Sequence, residues 1–436
     1  MTVETKEAPR PGRRAAIVAG VRSPFVKSNG VFKKLSALDM ASRVVSELLA
    51  RQNLSGNEID RIVYGQVVPA VATPNIAREI VLATGMPRNV DAYSVSRACA
   101  TSTQSLVEGA MAIEAGDADV VICGGADSLS RPPITFSDRF VEILMKANSA
   151  RDPMSKLKAF LKLKPKDLLP IPPAIAEFST GKTMGQCAEQ MAKDNNIARE
   201  DQDELAARSH ARAAKAWSDG IYADEVMAFP VSPGYKETAD RDNLVREDTS
   251  VEKLAKLRPA FDREYGSVTA GSSSPLTDGA SAVILMSEEK AASLGYSPLA
   301  FVKSWGFAGI DPEWQLLMGP AFATPIALDR AGMQLGDLDL VDMHEAFAAQ
   351  VLSNLQAFGS KSFAQERLGR NEALGEVDPE RLNIHGGSLS LGHPFAATGT
   401  RQALTMANEL NRRGGGTALI TQCAAGGLGA AVILER

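Results

Sequence analysis

With 436 residues, 44% hydrophobic and 23% charged, the chain has the composition of a globular protein large enough for two or three domains with buried cores. Its formal net charge of −5 gives no general attraction to nucleic acid, so no nucleic-acid partner is expected and any basic site must be local. Four cysteines without tight pairing or metal-type spacing read as reduced thiols in a cytoplasmic protein, with neither a disulfide framework nor a metal site.

Taken in order, residues 1–14 are polar, carry Pro9 and Pro11 and lack a signal peptide's apolar core, so they read as a flexible tail. Residues 15–20 are a buried strand ending at the Arg22-Ser23-Pro24 turn, and Met40, Val44, Val45, Leu48 and Leu49 space a helix over residues 38–51. Another strand follows at residues 62–65, and the alternation continues to Asp127, as in an α/β layer with a buried sheet. The pattern then changes. Residues 131–270 are rich in Lys, Pro and Asp and have no counterpart later, so they read as a loop domain inserted into a first half that spans residues 15–130 and resumes at about 271–292. Residues 293–436 form the second half. Its last apolar run, residues 418–434, is interrupted by Thr421, Gln422 and glycines, which fits strand, turn and strand better than a membrane span.

The halves look like copies. Ser94-Val95-Ser96-Arg97-Ala98-Cys99 aligns with Ser388-Leu389-Ser390-Leu391-Gly392-His393 at a constant offset of 294 residues, and each copy then runs into a helical segment, an apolar strand and a glycine pair. Such a duplication keeps the fold and lets the functional position diverge. Halves packed about a pseudo-two-fold axis would bring Cys99 and His393 together.

Cys99 stands where a strand gives way to a helix start, a place where unpaired N–H groups favour thiolate. Three of the four histidines (His344, His385, His393) fall in the second half, and His393, in Gly392-His393-Pro394, suits a general base towards a thiol from the first. His385 reads as a turn histidine bonded to a backbone carbonyl. Cys423 precedes the glycine-rich turn Ala425-Gly426-Gly427, which can present backbone N–H groups to a ligand oxygen. Cys123 and Cys187 read as structural.

Cys99 in its Ser-x-x-x-Ala-Cys-Ala setting, His344-Glu345-Ala346-Phe347-Ala348, Asn383-x-x-Gly386-Gly387, Gly392-His393-Pro394 and Cys423 before its glycine turn together resemble the thiolases, over almost the whole chain. The resemblance implies the thiolase fold: duplicated βαβαβαββ halves forming a five-layered α-β-α-β-α core with an inserted loop domain. It also implies an acyltransferase. Cys99, deprotonated by His393, attacks the 3-keto carbon of an acyl-CoA; Cys423 protonates the departing acetyl-CoA enolate and later deprotonates the incoming CoA. The backbone N–H groups of Cys99 and Ala425 would hold the thioester oxygen, and His393 with a water on His344 the enolate oxygen. CoA is a co-substrate and no cofactor is bound. Met184, Ser274, Phe347 and Gly427 would line its path, with Arg246 near the nucleotide.

Within the family, the His-Glu-Ala-Phe motif and the Lys-rich insertion are most similar to the 3-ketoacyl-CoA thiolase β-subunits of fatty-acid oxidation complexes. That similarity implies β-oxidation, a homodimer or dimer of dimers, and an enoyl-CoA hydratase/3-hydroxyacyl-CoA dehydrogenase α-subunit as partner. Between residues 140 and 178, Leu157, Phe160 and Leu161 adjoin Lys158 and Lys162 at helical spacing, the pattern of a surface for an acyl chain, a peripheral membrane contact or that partner. The alternatives are a biosynthetic acetoacetyl-CoA thiolase, a ketoacyl synthase, against which the second cysteine argues, and a catalytically dead CoA- or lipid-binding relative, against which the presence of Cys99, His393 and Cys423 argues.

Overall fold

The computed structural model describes residues 12–171 and 176–436. Its first half runs β1 (Ala15–Arg22), α1 (Ala37–Gln52), β2 (Arg61–Gly65), α2 (Ile76–Ala83), β3 (Asp91–Val95), α3 (Thr101–Ala115) and β4 (Val120–Asp127), and closes after the insertion with β5 (Thr277–Ser287). The insertion carries α4 (Asp138–Ser149), α5 (Pro153–Phe160), α6 (Met184–Asp194) and α7 (Arg199–Ser218). The second half runs β6 (Ala300–Gly309), α8 (Gly319–Ala331), β7 (Leu340–Met343), α9 (Ala348–Gly359), α10 (Thr398–Arg413), β8 (Thr417–Ala424) and β9 (Leu428–Glu435).

The strands lie in the order β7-β8-β9-β6-β1-β5-β4-β2-β3. Each half repeats one scheme: its first strand is antiparallel to its last, the last is antiparallel to the one before, and the inner strands are parallel. The halves meet through β1 and β6, at Ala16↔Phe301 and Ile17↔Ala300. One difference breaks the symmetry. Where the first half has β3, the second has only the single parallel bridge Val341↔Leu382 among the described residues. Asn383 at φ +47° and Gly386 at φ +80° turn the chain out of extended geometry there, so a third strand cannot propagate.

Three apolar clusters define the layers. Met40, Val44 and Leu48 of α1 and Ile76 and Ile80 of α2 pack on the outer face of the first half. Ala323 and Ala327 of α8 and Val351 of α9 pack on the outer face of the second. Leu106 and Val107 of α3 and Leu404 and Leu410 of α10 fill the middle, against strands of both halves. This is the expected five-layered α-β-α-β-α core. Continuous apolar runs and 3.6-residue patterns in the sequence supply it, because a strand buried on both faces does not alternate.

Polar contacts fix how the central helices meet. Thr400 N–H donates to Ser102 Oγ at 2.9 Å, Ser281 Oγ to the Ala397 carbonyl at 2.6 Å, and Thr103 Oγ1 to Gln422 Oε1. The first turns of α3 and α10 are thereby locked together beside β8. At the chain's start, residues 1–11 of the expected tail lie outside the described residues, but its last two do not hang free. Arg13 pairs with Asp119, and Arg14 bonds Glu435 at 2.8 Å and stacks on Phe301.

Candidate active site

The turn between β3 and α3 carries Cys99. Ala98 takes φ +43°, an uncommon conformation for a residue with a Cβ, and the turn is held by Thr101 Oγ1, which accepts from Arg97 N–H at 2.9 Å and donates to the Ala98 carbonyl at 2.7 Å. The result is a sharp elbow that leaves Cys99 half-buried at the head of the helix while Ala100 and Thr101 are buried behind it.

The corresponding turn of the second half carries His393. Its N–H donates to Thr277 Oγ1 at 3.0 Å, and its Nδ1 shares a hydrogen bond with Thr398 Oγ1 at 2.7 Å. Gly392, at φ +99°, is required: a Cβ there would stand 2.5 Å from Thr277 Oγ1. His344 follows β7, with its N–H on the Thr421 carbonyl at 2.8 Å and its Nδ1 on Ser388 Oγ at 2.9 Å. The two imidazoles lie tilted at 45° to each other with centroids 4.2 Å apart, and in both rings Nε2 is buried with no partner. The Cys99 thiol and one nitrogen of each ring all lie within 4.8 Å of one another. The duplication therefore brings Cys99 and His393 together, and His344 with them.

Cys423 lies on β8 opposite Gly429, wholly buried, and Ala98, Cys99 and Leu428 pack around the neighbouring Ala424. It stands outside the group of three, yet close enough that negative charge on Cys99 is the second cause, after burial, pushing its pKa well above the thiol range. Beyond it the Ala425-Gly426-Gly427 turn joins β8 to β9. The backbone N–H groups of Ala425 and of Cys99 itself lie close enough to the Cys99 thiol to favour its charged form.

Electrostatics revise one expectation. Burial raises the Cys99 pKa to about 11, outweighing those two donors, with Asp127 pushing the same way. Burial also lowers His393 to about 3 and His344 well below its usual range, helped by Arg401 in both and by His393 in the second. The helix start does not create a resting thiolate, because loss of water outweighs the N–H groups; thiol and imidazoles rest neutral.

The supporting shell was not read from the sequence. Glu345 is buried and accepts from Ser209 Oγ at 2.7 Å, Asn383 Nδ2 at 2.7 Å and Leu389 N–H at 3.1 Å, tying the His344 loop to the turn that precedes His393. Asn383 also exchanges bonds with the Met343 backbone. Asp127, pushed up to about 6 by burial, accepts from Val67, Val68 and Ala396 N–H. From the insertion, Glu177 Oε2 accepts the Gly426 N–H at 2.6 Å. The repeat contained a signal for Ser388, which aligns with Ser94; nothing local marked Glu177. His385 departs from expectation: its ring bonds Glu409 at 3.0 Å, while its carbonyl accepts from Tyr222.

The residues expected along a CoA path divide. Ser274 N–H donates to the Ala346 carbonyl, beside His344, and Phe347 meets Phe261 edge-on at 5.9 Å, with Met184 at the head of α6 in the same apolar cluster. Gly427 anchors the Cys423 turn through its carbonyl and Ile310 N–H. Arg246 stands elsewhere, its N–H on His210 Nδ1 at 3.1 Å and its side chain lining a cleft of about 470 Å³ with Arg241, Asn243 and Asp248. Leu244 of the same segment packs on Gly392, just before His393.

Residues 15–289 match the thiolase N-terminal domain and residues 296–436 the thiolase C-terminal domain. The chain is 58% identical over 424 residues to the 3-ketoacyl-CoA thiolase of Shewanella halifaxensis (strain HAW-EB4), covering 97% of each chain. The 3-ketoacyl-CoA thiolase of Shewanella pealeana (strain ATCC 700345 / ANG-SQ1) is likewise 58% identical, with 97% of each chain covered. Among solved structures, Bacillus anthracis acetyl-CoA acetyltransferase superimposes with a TM-score of 0.84 at 30% identity, covering 99% of this chain and 100% of its own. Human mitochondrial 3-ketoacyl-CoA thiolase in complex with CoA gives 0.81 at 30% identity, covering 97% of this chain and 98% of its own.

Proposed function

The chain belongs to the thiolase family, and from that premise we propose that it is an acyltransferase that cleaves 3-ketoacyl-CoA with CoA through a thioester on Cys99. The observation that carries this is the convergence of the Cys99 thiol on two bare, neutral imidazole nitrogens beside the Ala425 N–H.

A neutral pair fixes the order of events. With its Nδ1–H given to Thr398, His393 Nε2 offers a lone pair and takes the Cys99 proton as Sγ bonds the 3-keto carbon. The N–H groups of Cys99 and Ala425 receive the oxygen that becomes the thioester carbonyl. The C2–C3 bond then breaks, and the electron pair goes to the acetyl-CoA enolate, whose oxygen faces His393 and, through water, His344. Cys423 gives its proton to C2. Its raised pKa suits that task, since it stays a thiol until a stronger base, the enolate, appears. In the second half-reaction the Cys423 thiolate takes the proton of CoA, the CoA sulfur attacks the thioester, and Cys99 leaves and regains its proton from His393. The products are acetyl-CoA and an acyl-CoA two carbons shorter.

Met184, Ser274 and Phe347 would flank the pantetheine arm and Arg246 the nucleotide; the CoA complex of the human relative supports a CoA site in this fold. The printed name of the Shewanella relatives, 3-ketoacyl-CoA thiolase, supports reading the reaction as a step of fatty-acid degradation rather than acetoacetyl-CoA synthesis. No helix among the described residues is long and apolar enough to cross a membrane, and a cytoplasmic location is part of this reading. On α4, α5 and the turn that ends α5, Ile143 and Ala147 face inward while Met145, Leu157 and Leu161 are 61%, 63% and 78% exposed, beside exposed Lys146, Lys156, Lys158 and Lys162. Apolar and cationic groups on one surface match an anionic lipid headgroup layer over acyl chains, and this face is the proposed peripheral contact. A steady-state assay of CoA-dependent cleavage across 3-ketoacyl-CoAs of graded length tests the activity: acetyl-CoA and the shortened thioester should form in equal amounts, and their absence at every length overturns it.

A further inference from the structure

The three atoms that make the nucleophile are also a ligand set. Around a tetrahedral zinc ion, with Zn–N of about 2.0 Å and Zn–S of about 2.3 Å, donor atoms stand roughly 3.3–3.6 Å apart. The Cys99 thiol and the two ring nitrogens already lie within 4.8 Å of one another, so closing on a shared ion takes side-chain movements of about an ångström. Both histidines are almost fully buried, at 0% and 3% exposure, and both present an Nε2 that no protein atom satisfies. Each ring is also oriented from behind through Nδ1, by Ser388 Oγ and Thr398 Oγ1, as zinc-binding histidines are held by a hydrogen bond on the nitrogen facing away from the metal. Among the described residues no other group of His, Cys, Asp and Glu converges in this way. Cys99, less buried than either histidine, leaves the group open from one side.

We propose that Cys99, His344 and His393 form a zinc-binding site, and that zinc shuts the enzyme reversibly by capturing its nucleophile. The Cys99 S–H bond breaks, its proton passes to solvent, and the thiolate and the two neutral imidazole nitrogens bind the ion, with water as a fourth ligand; no oxidant or reductant is involved. Two nitrogens and a sulfur, with no carboxylate, select borderline-soft ions such as Zn²⁺ and Co²⁺ over Mg²⁺ or Ca²⁺. Zinc binding does not depend on which carbonyl Cys99 attacks, so it stands or falls separately from the thiolytic reading.

Cobalt alone is the probe. Titrating the full-length reduced protein with Co²⁺ should give a thiolate-to-cobalt charge-transfer band at one equivalent, bleached by one equivalent of Zn²⁺, while Mg²⁺ does nothing. Stoichiometric Zn²⁺ should slow iodoacetamide alkylation of Cys99 at least tenfold and release one proton per ion. Cys99→Ser should abolish the band, and Ser388→Ala or Thr398→Val should weaken binding about 10–100-fold. Alkylation of wild-type Cys99 at an unchanged rate with stoichiometric Zn²⁺ overturns the proposal, a result that needs no variant to fold. A cobalt–thiolate band that survives in Cys99→Ser overturns it too, by placing the metal at another cysteine.

Discussion

The resting state of the nucleophile is open to direct test by pH. With burial raising the Cys99 pKa to about 11 and lowering His393 to about 3, the free enzyme at pH 7 holds a thiol facing a neutral imidazole. A thiol alkylates through its thiolate, so the rate of Cys99 modification by iodoacetamide should climb about tenfold per pH unit, close to a thousandfold between pH 6.5 and 9.5. The opposite arrangement, a thiolate–imidazolium pair, would react at a nearly constant rate across that range. Burial is the main cause of the shift, and Asp127 adds to it. Asp127→Asn removes that charge and keeps a side-chain oxygen for the Val67 and Val68 N–H groups, so it should speed alkylation at pH 8. The assay is time-resolved mass spectrometry of the Cys99 peptide at each pH. A plateau above pH 7, or a slower rate in Asp127→Asn, would refute the argument that loss of water outweighs the helix start and its N–H donors.

Other perturbations separate the roles. Cys423→Ala should lower carbon–carbon cleavage by about 10²–10⁴ while a reactive simple thioester still acylates Cys99, measured by steady-state thiolysis and by mass. Glu177→Ala, which frees the Gly426 N–H, should lower kcat about tenfold, the weight of one charge-assisted hydrogen bond of about 1.5 kcal/mol, with Glu177→Gln restoring most of it and KM moving little. Replacing Lys158, Lys162, Lys164 and Lys166 by Gln should weaken sedimentation with phosphatidylserine vesicles and leave acetoacetyl-CoA thiolysis within about twofold of the parent; unchanged sedimentation removes the lipid contact.

What the sequence made legible follows the range of each interaction. Helix α1 shows in the spacing of Met40, Val44 and Leu48, and the β8–β9 hairpin in an apolar run cut by glycines, because both are local patterns. Cys99 and His393 were legible through the duplication, which turns a distant contact into an alignment. Glu345 with Ser209, Asp127 with Ala396, and Glu177 with Gly426 were not, since each joins residues more than a hundred positions apart or more than two hundred, and a single polar contact has no period. Cys99's ionisation was misjudged for a related reason: the helix start is visible in sequence, whereas the burial that outweighs it comes from packing against the other half.

The central claim, a thioester on Cys99, is tested most directly by mixing the protein with a 3-ketoacyl-CoA in the absence of free CoA and mapping the adduct by mass spectrometry. The account predicts an acyl group two carbons shorter than the substrate on the peptide containing Cys99, with acetyl-CoA released in equal amount and the adduct discharged when CoA is added. An adduct on Cys123, Cys187 or Cys423, or acetyl-CoA released with Cys99 unmodified, would contradict it.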